Sequence, residues 1–263
     1  MAQRLDRLNL AWRFTLLPKA SASGSNAAIL RAIDETLRNV ASPEENQRWV
    51  RIENYRRGLL GSDRQIEFVD FGAGTRSERQ AAGVMNTGVR SDRRISEIAP
   101  ASKSALWGRL LYKIVAFTGA RSCIELGTSL AVSASYIAAA LPPNGRLVTM
   151  EGDATVAAMA ADAVRTLAPD RRVEIRVGPF SDTLEAVVAE MAPIDFAFID
   201  GHHERAATEH YYRQVLGGMQ RGGVMIFDDI RWSAGMRQAW KAIRADARGT
   251  CLDLGAVGIL LVD

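Results

Sequence analysis

The residues of this sequence best suited to chemistry stand at the ends of short apolar runs. Glu125-Leu126-Gly127-Thr128-Ser129 closes one run and Glu151 the next. Asp200 ends a later one, followed by Gly201, His202 and His203, and Asp228-Asp229 end another. Gly127 permits a tight turn and a close approach of backbone to a ligand, and Thr128 and Ser129 add hydroxyl donors. Glu151 lies 24 residues beyond Gly127, a separation at which an acid accepts hydrogen bonds from both hydroxyls of a nucleoside ribose. Taken alone, it also reads as a surface acid. The run Gly127-Thr128-Ser129-Leu130-Ala131-Val132 lacks the second and third glycines of a G-x-G-x-x-G turn. A ligand without phosphates therefore fits better than a dinucleotide.

Asp200 ends a nearly all-apolar segment, where an acid is poorly placed for packing. If the segments ending in Asp200 and in Asp228-Asp229 are neighbouring parallel strands, three carboxylates converge at one mouth. Like charges so close need a cation or a proton between them. An oxygen-rich set favours a hard ion, Mg²⁺ first, with Ca²⁺ and Mn²⁺ as alternatives. Asp228 and Asp229 read equally as a helix-capping turn, and His202 and His203 as caps or solvent-facing residues. His210, Tyr211 and Tyr212 read as packing and surface groups. Trp232 is placed to line a pocket, and Trp240 reads as core.

These positions need a scaffold, and the apolar pattern supplies one. Strands are predicted at 122–126, 146–151, 172–177, 194–200 and 223–228, separated by helices at 131–140, 154–167, 182–191, 204–216 and 233–246. Such alternation requires crossovers and a mainly parallel sheet with both faces covered. Two last strands, 250–254 and 257–262, are so close that they form an antiparallel hairpin. The fold class is α/β, a doubly wound, mainly parallel seven-stranded sheet ending in a hairpin. Ligands of such sheets sit beyond the carboxyl ends of the strands. Upstream, helices are expected over 27–40, up to Pro43, over 44–60 and over 103–117, with a short strand at 66–71 ended by a Gly72-Ala73-Gly74 turn. Residues 18–26 read as a linker and 75–97 as a mobile polar loop or lid. The expected division is a helical extension over 1–102, capping the mouth or serving as a homodimer arm, and a ligand-binding domain over 103–263.

A net charge of +3 is too small to argue nucleic-acid binding. The first 110 residues carry 18 Lys and Arg against 12 Asp and Glu, the remainder 15 against 18. The basic half reads as a solvated helical surface or as a face for an anionic partner. Cys123 and Cys251 read as reduced packing residues of a cytoplasmic protein. No apolar stretch reaches membrane-spanning length, and Asp6, Arg7 and Arg13 interrupt the apolar segment Leu5 to Leu17, which argues against a signal peptide.

The stretches IELGTSLAVSASYIA, VTMEGD, VGPFSDTL, DFAFIDGHH and GGVMIFDD, in this order and spacing, make residues 103–263 resemble class I S-adenosylmethionine-dependent methyltransferases. The similarity is to bacterial small-molecule O-methyltransferases, related distantly to catechol O-methyltransferase. Ala131 stands where that family commonly has Gly. The resemblance implies S-adenosylmethionine as cofactor. Gly127 and Ser129 would lie by its methionine part, with Thr128 in the same cofactor loop, Glu151 by its ribose, and Phe180 and Ser181 by its adenine. Glu125 would orient the loop or the cofactor ammonium, and Asp200 would adjoin the cofactor. It further implies a divalent cation on Asp200, Asp228 and Asp229 that holds the acceptor's oxygens, with His203 as general base. The acceptor would be a natural product, sugar or lipid-like molecule. An RNA or protein methyltransferase is a weaker alternative, because the D/N-P-P-Y/F run of amino-methylating enzymes is replaced by IDGHH. A non-catalytic cofactor-binding protein of the same fold is the third reading.

Overall fold

A computed structural model describes residues 24–72 and 88–263. Trp12, the Leu5–Leu17 segment, most of the linker, Ala73 and Gly74 of the turn, and 75–87 of the polar stretch lie outside the described residues. The chain enters through α1 (Ser25–Arg38) and α2 (Pro43–Leu60), followed by β1 (Gln65–Asp70) and β2 (Val89–Arg94). A short turn α3 (Ile95–Ile98) and a 3-10 turn (Ala99–Ala101) lead into α4 (Ala105–Thr118). Alternation then begins with β3 (Ser122–Leu126), α5 (Val132–Ala140), β4 (Arg146–Glu151), α6 (Ala154–Leu167) and β5 (Arg172–Val177). It continues through α7 (Phe180–Met191), β6 (Ile194–Ile199), α8 (Arg205–Leu216), β7 (Met219–Phe227) and α9 (Ala234–Asp246). The hairpin of β8 (Gly249–Asp253) and β9 (Gly258–Val262) completes the sheet.

The strand order is β5-β4-β3-β6-β7-β9-β8, with β3 to β7 mutually parallel and β9 antiparallel to both neighbours. The winding reverses between β3 and β6, so a crevice must open beyond their carboxyl ends. Strand side chains alternate between faces. Cys123, Leu147, Phe196, Phe198, Val224 and Ile226 face one buried layer, and Ile124, Leu126, Val148, Met150, Ala197 and Met225 the other. Trp240, expected in the core, is buried in the second layer, and Trp49 and Trp107 are buried in the first. Cys123 is buried and Cys251 partly buried, both as free thiols.

The described N-terminal helices pack against a face of the domain. Ile29, Ile33, Trp49 and Ile52 join the same buried layer as Leu110, Leu111 and Ile114 of α4. The residues expected to form a loop include β2, which pairs along the full length of β1 from Gln65↔Arg94 to Asp70↔Val89. The sequence VRSDRR hides this strand because its side chains are mostly exposed, so backbone pairing rather than apolar alternation defines it. Ser42 explains the start of α2. Its Oγ accepts from the Glu45 amide at 3.2 Å while Glu45 accepts from the Ser42 amide at 2.8 Å, a capping box with Pro43 in the first turn.

One buried charge ties this segment down. Lys113 of α4, 2% exposed, donates from Nζ to Glu35 of α1 at 2.8 Å and to Glu45 of α2 at 2.8 Å. Its ammonium also lies 5.6 Å from the Trp49 ring centroid and 5.1 Å from that of Phe117. Truncating one side of such an arrangement strands the others without compensation. Lys113→Ala is expected to cost about 3 kcal/mol in urea unfolding; a change below about 0.5 kcal/mol would show that the N-terminal helices are held by apolar packing alone.

Candidate active site

The loop after β3 is shaped by contacts across the winding reversal. Gly127 has φ +97, and a Cβ there would lie 2.2 Å from the carbonyl oxygen of Asp200. Any side chain would push β3 and β6 apart, so glycine is required for both conformation and space. The amides of Gly127 and Thr128 donate to the Met150 carbonyl at 3.1 and 3.0 Å, which folds the loop onto β4. The Ser129 amide donates to Glu151 Oε2 at 2.8 Å, and the Asp153 amide to Glu151 Oε1 at 3.0 Å. The carboxylate thus accepts the Ser129 and Asp153 amides, with the Gly152 amide also against it, and keeps lone-pair capacity towards the crevice. Burial pushes the Glu151 carboxyl above its ordinary value, against these amide bonds.

Thr128 departs from its expected role as a hydroxyl donor to a ligand. Its side chain is buried, and its Oγ1 pairs with Thr149 Oγ1 at 2.6 Å, while Thr149 donates to Glu125 Oε2 at 2.6 Å. The hydroxyl therefore stabilises the inside of the loop, leaving Thr128 its backbone to offer. Glu125 is fully buried, and its Oε1 has no hydrogen-bond partner among the described residues. Burial is the main reason that its carboxyl is pushed up to about 7.

Phe180 begins α7 with its ring across Gly201, where a Cβ would meet the ring at 2.5 Å. Ser181 beside it is exposed, its Oγ donating to Asp182 at 2.8 Å. His202 is buried, paired through Nδ1 with the Tyr211 hydroxyl and tilted against Phe180 at a centroid distance of 5.4 Å. It is a packing group, as is Tyr211, whereas His210 is exposed. Two residues not singled out in the sequence, on elements that were expected, reach this side. Phe71, just beyond β1, covers Gly152, where a Cβ would lie 2.4 Å from its ring, and the Val69 amide donates to Asp153 Oδ2 at 2.9 Å. Tyr55 of α2 donates to the Leu130 carbonyl at 3.0 Å, bracing the β3 loop from behind.

Across the crevice the expected convergence of acids is present. Asp200 and Asp228 follow neighbouring strands β6 and β7, and His203 Nε2 lies 3.6 Å from Asp200 Oδ1 and 3.8 Å from Asp229 Oδ2. Burial holds the His203 imidazole below its ordinary value, against the pull of Asp229 and Asp228; it is therefore neutral near pH 7, as a proton acceptor must be. The Trp232 ring lies 6.0 Å from that of His203, at the place expected for a pocket wall. Ser129, Ala131, His202, His203 and Asp229 all have left-handed backbones, with φ between 42 and 60. Strain in non-glycine residues is thus gathered around this crevice.

The divalent ion expected on Asp200, Asp228 and Asp229 meets a different arrangement. Lys103, from the turn before α4, extends its ammonium between the acids, 3.2 Å from Asp200 Oδ2 and in direct contact with Asp228 Oδ2. Among the described residues, no group of three or more His, Cys, Asp and Glu side chains has metal-binding geometry. The donor set does not fit a metal ion as arranged, because an ammonium already lies against its two most buried carboxylates. Burial raises Asp200 well above the ordinary carboxyl range despite Lys103, whereas Asp228 is held below it by the Lys103 ammonium against the opposing effect of burial. The sequence gives no local sign of Lys103, whose partners are 97 and 125 residues away.

A family model described as O-methyltransferase matches residues 83–247, more than half of the chain. The chain is 32% identical over 124 residues to a catechol O-methyltransferase of Niastella koreensis, covering 47% of this chain and 55% of that one. It is 30% identical over 135 residues to a catechol O-methyltransferase of Mycobacterium tuberculosis, covering 51% and 60%. The matches thus span little more than half the length of these curated relatives. An O-methyltransferase from Bacillus cereus solved in complex with SAH superposes with a TM-score of 0.54 and 26% identity, covering 63% of this chain and 85% of that one. The architecture is that of the class I methyltransferases.

The buried carboxyl beneath the loop makes stability depend on pH. The folded Glu125 carboxyl, at about 7 against an ordinary 4.5, binds its proton more tightly than the unfolded one. Folded protein therefore holds the extra proton between these values, and stability falls as pH rises through them. The loss is on the order of 3 kcal/mol. In the cofactor-free protein, Glu125→Gln should flatten this decline in urea titrations between pH 4.5 and 7.5. An unchanged slope would show that Glu125 is ionised in the folded state.

Proposed function

The chain belongs to the O-methyltransferase family, and from that premise we propose that it transfers a methyl group from S-adenosylmethionine to a hydroxyl oxygen of a small molecule. The observation that carries this reading is the position of Glu151. Its carboxylate is fixed by the Ser129 and Asp153 amides at the mouth of the winding reversal, with lone pairs left for a ribose. The unpartnered Oε1 of buried Glu125 fits a cofactor with a cationic group. The methionine part would lie along Gly127, Thr128 and Ser129, and the adenine against Phe180 and Ser181, with Asp200 alongside. S-adenosylmethionine supplies an electrophilic sulfonium methyl when bound.

The chain's own residues then have two tasks. They hold the acceptor oxygen at the crevice, and they accept its proton. His203 is suited to the second, because burial keeps its imidazole neutral while Asp229 and Asp200 stand close enough to stabilise the imidazolium that forms. The catechol O-methyltransferases it is similar to suggest a phenolic hydroxyl as the acceptor.

Calorimetry with S-adenosylhomocysteine tests the cofactor assignment. Glu151→Ala should weaken binding by roughly 2–4 kcal/mol, the worth of two hydrogen bonds to a charged acceptor, and NAD should not bind. Unchanged affinity in the variant would sink the role of Glu151. His203→Ala should lower kcat by roughly 10²–10⁴-fold with cofactor affinity kept; a loss below about threefold would remove it as the base.

A further inference from the structure

We propose that the ammonium of Lys103 takes the place of a divalent ion in this crevice, so that the protein holds its acceptor oxygen without metal. The inference rests on the methyltransferase reading and deepens it. Lys103 leaves the chain between the turn Ala99–Ala101 and the first residue of α4, and its side chain, 13% exposed, crosses to the carboxyl ends of β6 and β7. There Nζ meets Asp200 Oδ2 at 3.2 Å and Asp228 Oδ2 directly, with Asp228 3% exposed. A cation at this point offsets the carboxylate repulsion that the acids would otherwise impose on each other. The nearby carboxylates keep the amine charged despite its burial.

The geometry of an ammonium decides what it can then do. Lys carries three N–H donors and no acceptor. One is directed at Asp228, and the ammonium lies 3.2 Å from Asp200 Oδ2, which leaves a donor for the oxygen of an acceptor approaching from the crevice, beside His203. Such a donor stabilises charge that develops on that oxygen as His203 takes its proton. It grips one oxygen, whereas a chelating ion holds two. The acceptor class is accordingly a molecule presented through a single hydroxyl, with no requirement for a vicinal pair. A divalent ion bound to the same two carboxylates would stand against a fixed positive charge.

Mn²⁺ binding followed by electron paramagnetic resonance tests this without knowledge of the acceptor. Wild-type protein, Lys103→Ala and Lys103→Met are titrated with Mn²⁺ alone, and each is titrated with S-adenosylhomocysteine as a control for the fold. The wild type should leave the free Mn²⁺ signal unchanged at millimolar concentration. The variants, with the carboxylates released, should bind at least about tenfold more tightly and lose that gain when Asp228→Asn is added. Mn²⁺ bound equally by wild type and variants, or by none of them, overturns the proposal. Lys103→Met keeps most of the aliphatic stem, so it carries the test if Lys103→Ala does not fold. Failure of the wild type to bind S-adenosylhomocysteine would instead overturn the methyltransferase reading, which separates the two outcomes.

Discussion

The crevice depends on how closely two parallel strands approach at the point where the sheet changes its direction of winding. β3 and β6 are hydrogen-bonded neighbours, and the chain leaves each of them towards opposite faces. At their carboxyl ends the backbone of Gly127 rests on the carbonyl of Asp200, and the Asp200 amide donates to the Leu126 carbonyl at 3.0 Å. No residue with a Cβ can occupy position 127 without parting the strands. Because both loops are fixed to the same edge, the Glu125–Glu151 side and the Asp200–His203 side lie within one crevice. A chemistry that needs a bound cofactor on one side and a proton acceptor on the other is thereby given a fixed spacing.

The rest of the molecule braces this arrangement from behind. α1 and α2 pack on the layer that contains α4 and α5, and polar contacts carry the support forward. Tyr55 reaches the carbonyl of Leu130 in the β3 loop, and Tyr136 of α5 donates to Glu53 at 3.0 Å. The β1–β2 hairpin adds Phe71 over Gly152, next to Glu151. The described part of this segment thus supports the walls of the crevice. Such support is what keeps several left-handed residues in place around the crevice, since strained backbone persists only where its surroundings over-determine it.

Charge is balanced inside the crevice by the chain itself. Three aspartates at two strand ends would be costly to bury together, and two features reduce that cost. Lys103 lies against Asp200 and Asp228, and burial favours the protonated form of Asp200. His203 remains neutral beside them. The same low-dielectric surroundings that make unpaired charge expensive make each remaining interaction strong.

The sequence by itself determined what depends on neighbours along the chain. Continuous apolar runs in the strands from Ser122 onward, helical spacing in the segments between them, and turn residues at their ends are local properties. The sheet class, the hairpin, the Gly127 loop, Glu151 and the converging Asp200, Asp228 and Asp229 were therefore legible. Tertiary structure decided what depends on residues brought together from afar. β2 is a strand because β1 offers it a backbone, not because VRSDRR alternates. Thr128 turns inward because Thr149 of the neighbouring strand accepts it. His202 and His203 are adjacent in sequence, yet one packs on Tyr211 and Phe180 while the other faces the acids. Lys103 shows the limit most directly. A single lysine between two serines carries no periodicity and no motif, and its meaning arises only when folding sets its ammonium against carboxylates from two distant strands.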